Sequence, residues 1–187
     1  IVGAAVVAEE IEDRTITYLF TRPIPRAAVL CGRLAAGVLL VELLLGVGSH
    51  VALALLESAA GPEEMSKLPA GMAGAMRNAA MLGGLVYTVL FAVAGALFRH
   101  PMIVGIGYAF VIEGFVANLP GENPSMTIQF HLKSRLAGLA PEYEERMRHL
   151  VHHQVLLSPD DALQRLWIVC AVAVALGILV VSRKQFV

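Results

Sequence analysis

A dense cluster of residues able to make specific ionic contacts lies in one short run between apolar segments, Glu9-Glu10-Ile11-Glu12-Asp13-Arg14-Thr15-Ile16-Thr17-Tyr18-Leu19-Phe20-Thr21-Arg22-Pro23-Ile24-Pro25-Arg26. Glu9, Glu10, Glu12, Asp13, Arg14, Arg22 and Arg26 would orient a charged partner, and Ile16, Leu19 and Phe20 form an apolar rib that fits a groove. Pro23 and Pro25 stiffen the exit, so displacement of this stretch passes to whatever follows it. The chemistry suits docking better than bond making. A plainer reading, a charged loop that only anchors topology, uses the same residues.

Two further acids, Glu42 and Glu113, fall inside apolar runs. A charge in a bilayer costs about 2.5–3.5 kcal/mol even on a lenient insertion scale, so each must face a bundle interior or a wet cavity. Glu42 lies near the middle of its run and suits a pathway or proton-linked role as well as a buried hydrogen-bonding post. Glu113 lies closer to the outer end of its run, where a structural role is favoured over a pathway role. His149 and His153, four apart, share a helix face with His152 adjacent. No acid or cysteine completes a ligand set around them, so the sequence predicts a solvated face and no metal site. Cys31 and Cys170 also lack metal-ligand spacing and read as small apolar packing residues.

The elements that must position these residues are set by composition. Of 187 residues, 57% are hydrophobic and 16% charged, and the mean hydropathy is +0.71, which excludes an ordinary soluble domain. The net charge of -1 gives no reason to expect nucleic acid. A bilayer crossing needs about 20 mostly apolar residues, and the runs 29–56, 79–98 and 162–182 meet that standard, with 102–118 a shorter fourth. Ile1-Val2-Gly3-Ala4-Ala5-Val6-Val7-Ala8 reads as the tail of a spanning helix that begins before it. The expected fold is therefore an all-α, polytopic helical membrane protein with four complete spans, the tail of a preceding one, and the 9–28 connector between them.

Punctuation along the chain refines the outline. Gly61-Pro62-Glu63-Glu64 predicts a loop running to about Asn78, with Pro69, Gly71 and Gly74 opposing a long helix. Arg99-His100-Pro101 is so short a turn that 79–98 and 102–118 must be antiparallel neighbours. Glycines at 83, 84, 95, 105, 107 and 114 thin those two spans for close packing. Leu119-Pro120-Gly121-Glu122-Asn123-Pro124 ends the second of them. Within the 119–161 extracytoplasmic segment, Pro141 followed by Tyr143, Met147, Leu150, Val151 and Val155, with Glu144 and Arg148 as an i,i+4 pair, predicts an amphipathic helix resting on the interface or on the bundle. Ser158-Pro159-Asp160-Asp161 supplies the start of the last span, and Trp167 sits in its first turns, where aromatic belts lie. Placing the connector inside puts Arg14, Arg22, Arg26, Arg33, Arg99, Arg183 and Lys184 there, against Lys67, Arg77, Lys133, Arg135, Arg146, Arg148 and Arg165 outside. The counts are equal. The first set lies in shorter segments, which favours a cytoplasmic connector.

The stretch from Glu10 to Arg26, with its acidic residues, Leu19-Phe20 and Pro23-Ile24-Pro25-Arg26 ending, resembles the membrane subunits of ABC transporters. More narrowly it is similar to the type-two exporter permeases, including those grouped with multicopper-enzyme maturation. Arg99-His100-Pro101, the run Tyr108-Ala109-Phe110-Val111-Ile112-Glu113-Gly114 and Asn118-Leu119-Pro120-Gly121 carry the likeness further along the chain. The resemblance implies a six-span permease, here without its first span and most of its second, in a bacterial or archaeal plasma membrane. It implies a second permease subunit, identical or different, and a separate ABC ATPase subunit that binds ATP and Mg, with the 9–28 connector as the cytoplasmic coupling helix. Lipid surrounds the spans.

The chain carries no Gly-x-x-x-x-Gly-Lys-Ser/Thr phosphate loop, and no cofactor of its own is expected. Nor does it hold paired acids or a His-Glu-x-x-His motif, so an enzyme is disfavoured. The sequence thus predicts a permease subunit of an ATP-driven exporter. The competing reading is a membrane anchor that does not transport but recruits an ATPase for signalling or enzyme maturation.

Overall fold

Residues 25–65, 71–98, 100–116, 123–140 and 156–183 are described by a computed structural model. Glu9, Glu10, Glu12, Asp13, Arg14, Ile16, Leu19, Phe20, Arg22 and Pro23 of the connector lie outside them, as do the predicted helix after Pro141 and His149, His152 and His153. Among the described residues every regular element is helical.

Helix α1 spans Arg26–Met65. Pro25 stands just before it, where a missing N–H costs nothing, and its carbonyl accepts from Ala28 N at 2.8 Å. At about 1.5 Å per residue a helix of 40 residues is roughly 60 Å long, twice the hydrocarbon thickness. Its apolar part, Ala27–Ala59, must tilt or project. Where Gly61-Pro62 predicted a loop, the helix runs on to Met65. Strong helix formers on both sides, Ala59-Ala60 and Glu63-Glu64-Met65, outweigh the local breakers.

The chain returns through Gly71, whose φ of 82° is left-handed and suits glycine alone among common residues. Helix α2, Met72–Leu97, begins at once, so the residues from Met72 to Asn78 that were expected in a loop form its first turns. Gly74 is tolerated inside it. Helix α3, Pro101–Gly107, follows the predicted tight turn with Pro101 at its start. It continues as a π-helix over Tyr108–Phe115, a wider winding that the spacing of apolar residues alone does not predict. Together these form an apolar helix of 15 residues, shorter than the three long ones. A 3-10 turn, Asn123–Met126, leads to α4, Ile128–Leu139, and α5 spans Pro159–Arg183.

α2 is the hub. It packs against α1, α3, α4 and α5, and Val86, Val89, Ala92 and Val93 form a core with Leu30 and Leu34 of α1 and Leu166 and Cys170 of α5. A Cβ on Gly177 would stand 3.1 Å from Val93 and 3.4 Å from Leu30. The start of α1, the last third of α2 and the last third of α5 therefore meet at one end of the bundle. At the other end Leu136 and Ala140 pack on Met72 and Ala75. The outer surface of α1 is apolar as well, with Leu39, Leu43 and Leu55 exposed, as suits a helix in lipid or against another membrane subunit.

Close approach depends on glycine at two places. A side chain on Gly84 would collide with Leu45 of α1. A Cβ on Gly138 would come within 2.7 Å of the Pro159 ring, closer than real contacts allow. Gly138→Val is expected to separate α4 from α5 and destabilise the bundle by about 1–3 kcal/mol. Gly74→Ala, which meets open space, is expected to be neutral or slightly stabilising. Thermal unfolding of the two variants in one detergent checks the contrast, and equal midpoints would contradict it.

Candidate functional site

The polar heart of the described bundle is the Glu113 carboxylate. The π-helix winds with i to i+5 spacing, which brings Tyr108 and Glu113, five apart, onto one side. The Tyr108 hydroxyl donates to Glu113 Oε1 at 2.8 Å. The backbone N–H of Ile128 donates to the same oxygen at 3.0 Å, and that of Gln129 to Oε2 at 3.0 Å. Tyr87 of α2 interacts with the same carboxylate. Phe91, one turn along α2, stands edge-on to the Tyr108 ring with centroids 6.0 Å apart.

These bonds close the start of α4. A helix N-terminus leaves four N–H groups without partners and carries a partial positive charge. Thr127, fully buried, accepts from Phe130 N at 3.2 Å, and Glu113 takes the N–H groups of Ile128 and Gln129. A carboxylate from another helix thus completes the cap that Thr127 begins. Tyr87 lies 15 residues into α2, about 22 Å from its start. The joint consequently sits near the middle of the bundle.

Further along α4, His131 is buried and its Nδ1 donates to the Thr127 carbonyl at 2.9 Å.

α4 is tied to α5 at its far end. Arg135 Nη1 donates to the Pro159 carbonyl at 3.0 Å and meets Asp160 Oδ1 at 3.2 Å, and Leu157 N donates to Ser134 Oγ at 3.4 Å. The start of α5 is capped as its sequence predicted. Ser158 Oγ accepts from Asp161 N at 3.1 Å and donates to its carboxylate at 2.7 Å.

Glu42 is placed differently. It lies on α1 against Gly84 of α2, where its Oε1 is 3.4 Å from the position of an added Cβ. That oxygen is shut off from solvent and has no hydrogen-bond partner among the described residues. Toward the outer end of the same pair, Arg77 Nη1 approaches His50 Nε2 at 3.5 Å. Cys170 is buried and Cys31 exposed, both as free thiols. Among the described residues no group of three or more His, Cys, Asp or Glu could hold a metal. A groove of about 530 Å³ between α1, α2 and α5, lined by Val38, Leu85, Val89, Trp167, Cys170 and Val174 among others, is almost wholly apolar. Such a surface can hold hydrocarbon but offers no group for acid–base chemistry.

Glu113 was legible from sequence as an intramembrane acid; its partners on α4 were not. The one local signal for α4 was Thr127, a good N-cap residue ahead of Ile128. Arg26 begins α1, and residues 9–24 of the connector lie outside the described residues.

Among the described residues, the helices long and apolar enough to cross a membrane are Ala27–Ala59, Met72–Leu97 and Pro159–Ser182, joined by the shorter Pro101–Phe115. The family model described as ABC-2 family transporter protein matches residues 1–185. The chain belongs to that family. As an ABC-2 family member it is a multi-pass membrane protein and a membrane permease component of an ABC transporter. ABC-2 membership also implies an ATPase partner. No curated protein and no solved structure matches the chain.

Proposed function

We propose that this ABC-2 permease is the membrane subunit of an ATP-driven exporter. It pairs with a second permease subunit to form a substrate path, and it receives the stroke of a separate ATPase through the 9–26 connector. The observation that carries the reading is the family match over residues 1–185, which takes in the connector as well as the spans. The sequence of the connector fits the role. Glu9, Glu10, Glu12, Asp13, Arg14, Arg22 and Arg26 supply ionic contacts, and Ile16, Leu19 and Phe20 supply a rib for an apolar groove.

ATP and Mg belong to the partner, because the chain has no phosphate loop of its own. Closure of the ATPase around nucleotide would favour one arrangement of the spans over another, which is how binding energy becomes alternating access. Glu42, whose Oε1 has no hydrogen-bond partner among the described residues, is the residue of this bundle best suited to meet a polar group moving along the path.

Purification of the intact protein from its native membrane is expected to bring an ATPase subunit with it. Inverted vesicles holding both should accumulate substrate only with hydrolysable ATP. Accumulation without ATP would contradict the pump. A bound ATPase with no ATP-driven transport of any material would favour an anchor.

A further inference from the structure

The start of α1 meets the last third of α2, and α3 begins at Pro101, just after α2 ends. α3 therefore begins at the end of the bundle into which the connector feeds. It runs back along α2, where a Cβ on Gly105 would stand 3.7 Å from the Phe91 ring, as far as Glu113, about halfway. α4 starts there and covers the other half, ending with Leu136 on the Met72 and Ala75 cluster and Gly138 against Pro159. Neither element reaches across alone. The described contact that grips them end to end is Glu113, with both carboxylate oxygens held by α4 N–H groups.

We propose that Glu113 is a positioning residue, a strut that makes α4 follow α3, so that movement at the connector end reaches the opposite end of the bundle. The proposal rests on the functional reading above. A carboxylate bonded through both oxygens to successive N–H groups resists sliding and rotation. The joint is also charge-assisted and set at a helix N-terminus, which strengthens it. At its far end α4 is bound to the start of α5 through Arg135 and Ser134. Displacement of α4 must then act on the first turn of a spanning helix. A bundle of packed helices passes such motion on because it shifts between discrete arrangements and does not deform smoothly.

The test uses the full chain with its ATPase in lipid nanodiscs. Cys31→Ser and Cys170→Ala remove the native thiols, and Leu139→Cys places a reporter on the exposed last turn of α4. Labelling by a charged, membrane-impermeant maleimide is timed with and without ATP. ATP is expected to change the rate several-fold in the parent. That response should vanish in Glu113→Gln while the ATPase stays bound and still hydrolyses ATP. Ile128→Pro provides a second variant, because it deletes one N–H at a first-turn position that follows an extended Thr127 with φ -91° and ψ 146°, as proline prefers. It should weaken the response in part. Leu166→Ala, a core truncation away from the joint, should lower stability yet keep the response. That contrast separates a strut from a merely stabilising residue.

A Glu113→Gln protein whose labelling still answers to ATP would overturn the strut alone. So would a parent with bound ATPase whose labelling ignores ATP. A parent that binds no ATPase would overturn the functional reading and the strut with it.

Discussion

Glu113→Ala is expected to lower the unfolding midpoint of the permease as far as emptying its core does. The substitution removes the acceptor of three bonds, from the Tyr108 hydroxyl and from the N–H groups of Ile128 and Gln129. Each donor left dry costs about 1–3 kcal/mol, so the total is about 3 kcal/mol or more. That matches the cost of about 2–5 kcal/mol for Leu166→Ala, which truncates the largest of the fully buried side chains. Water would relieve the loss at a solvated helix end, but this one starts beside the middle of α2. Glu113→Gln should fall between, since one carbonyl oxygen remains to accept while the amide meets an N–H donor head on. Melting curves of the three proteins in one detergent read the order directly. A Glu113→Ala midpoint within about 2 °C of the parent would show that the joint carries no stability.

Where local chemistry decides the structure, the sequence was a sufficient guide. Hydropathy marks the three long helices, the Arg99-His100-Pro101 turn separates α2 from α3, and Ser158 caps α5 with Asp161 as its spacing implies. Where competing neighbours or distant residues decide it, sequence reading falls short. Gly61-Pro62 reads as a helix end, yet α1 continues because its flanks favour helix. The π winding of Tyr108–Phe115 accompanies a bond between Tyr108 and Glu113, and apolar periodicity cannot report it. α4 lacks a clear apolar stripe, and its start is completed by a carboxylate 15 and 16 residues upstream. An acid in an apolar run predicts that some partner exists, but only the fold says that the partner is a helix end. Glu42 stands as the complementary case, an acid equally visible in sequence whose Oε1 the described bundle leaves without a partner.

The second large effect concerns the connector. Its acids and bases would meet the ATPase at a surface where ionic pairs set orientation and association rate, and where each buried pair broken costs more than a rim pair. Neutralising Glu10, Glu12 and Arg26 together removes both signs of charge, so the loss is one of specific pairing and not of net attraction alone. Even at about 0.5 kcal/mol for each contact, the three sum to about 1.5 kcal/mol, a tenfold weakening. Partly desolvated pairs would add to that. The apolar rib of Ile16, Leu19 and Phe20 stays in place, so residual binding should depend less on salt than binding of the parent does.

The most direct measurement is the affinity of the purified ATPase subunit for the full permease in nanodiscs, compared with the Glu10→Gln, Glu12→Gln, Arg26→Gln protein at matched ionic strength. The parent should bind, with a loss of about tenfold or more in the variant. Equal affinity for the two proteins would contradict the connector as the docking site, and no affinity for the parent would overturn the reading of this chain as an ATPase-driven permease.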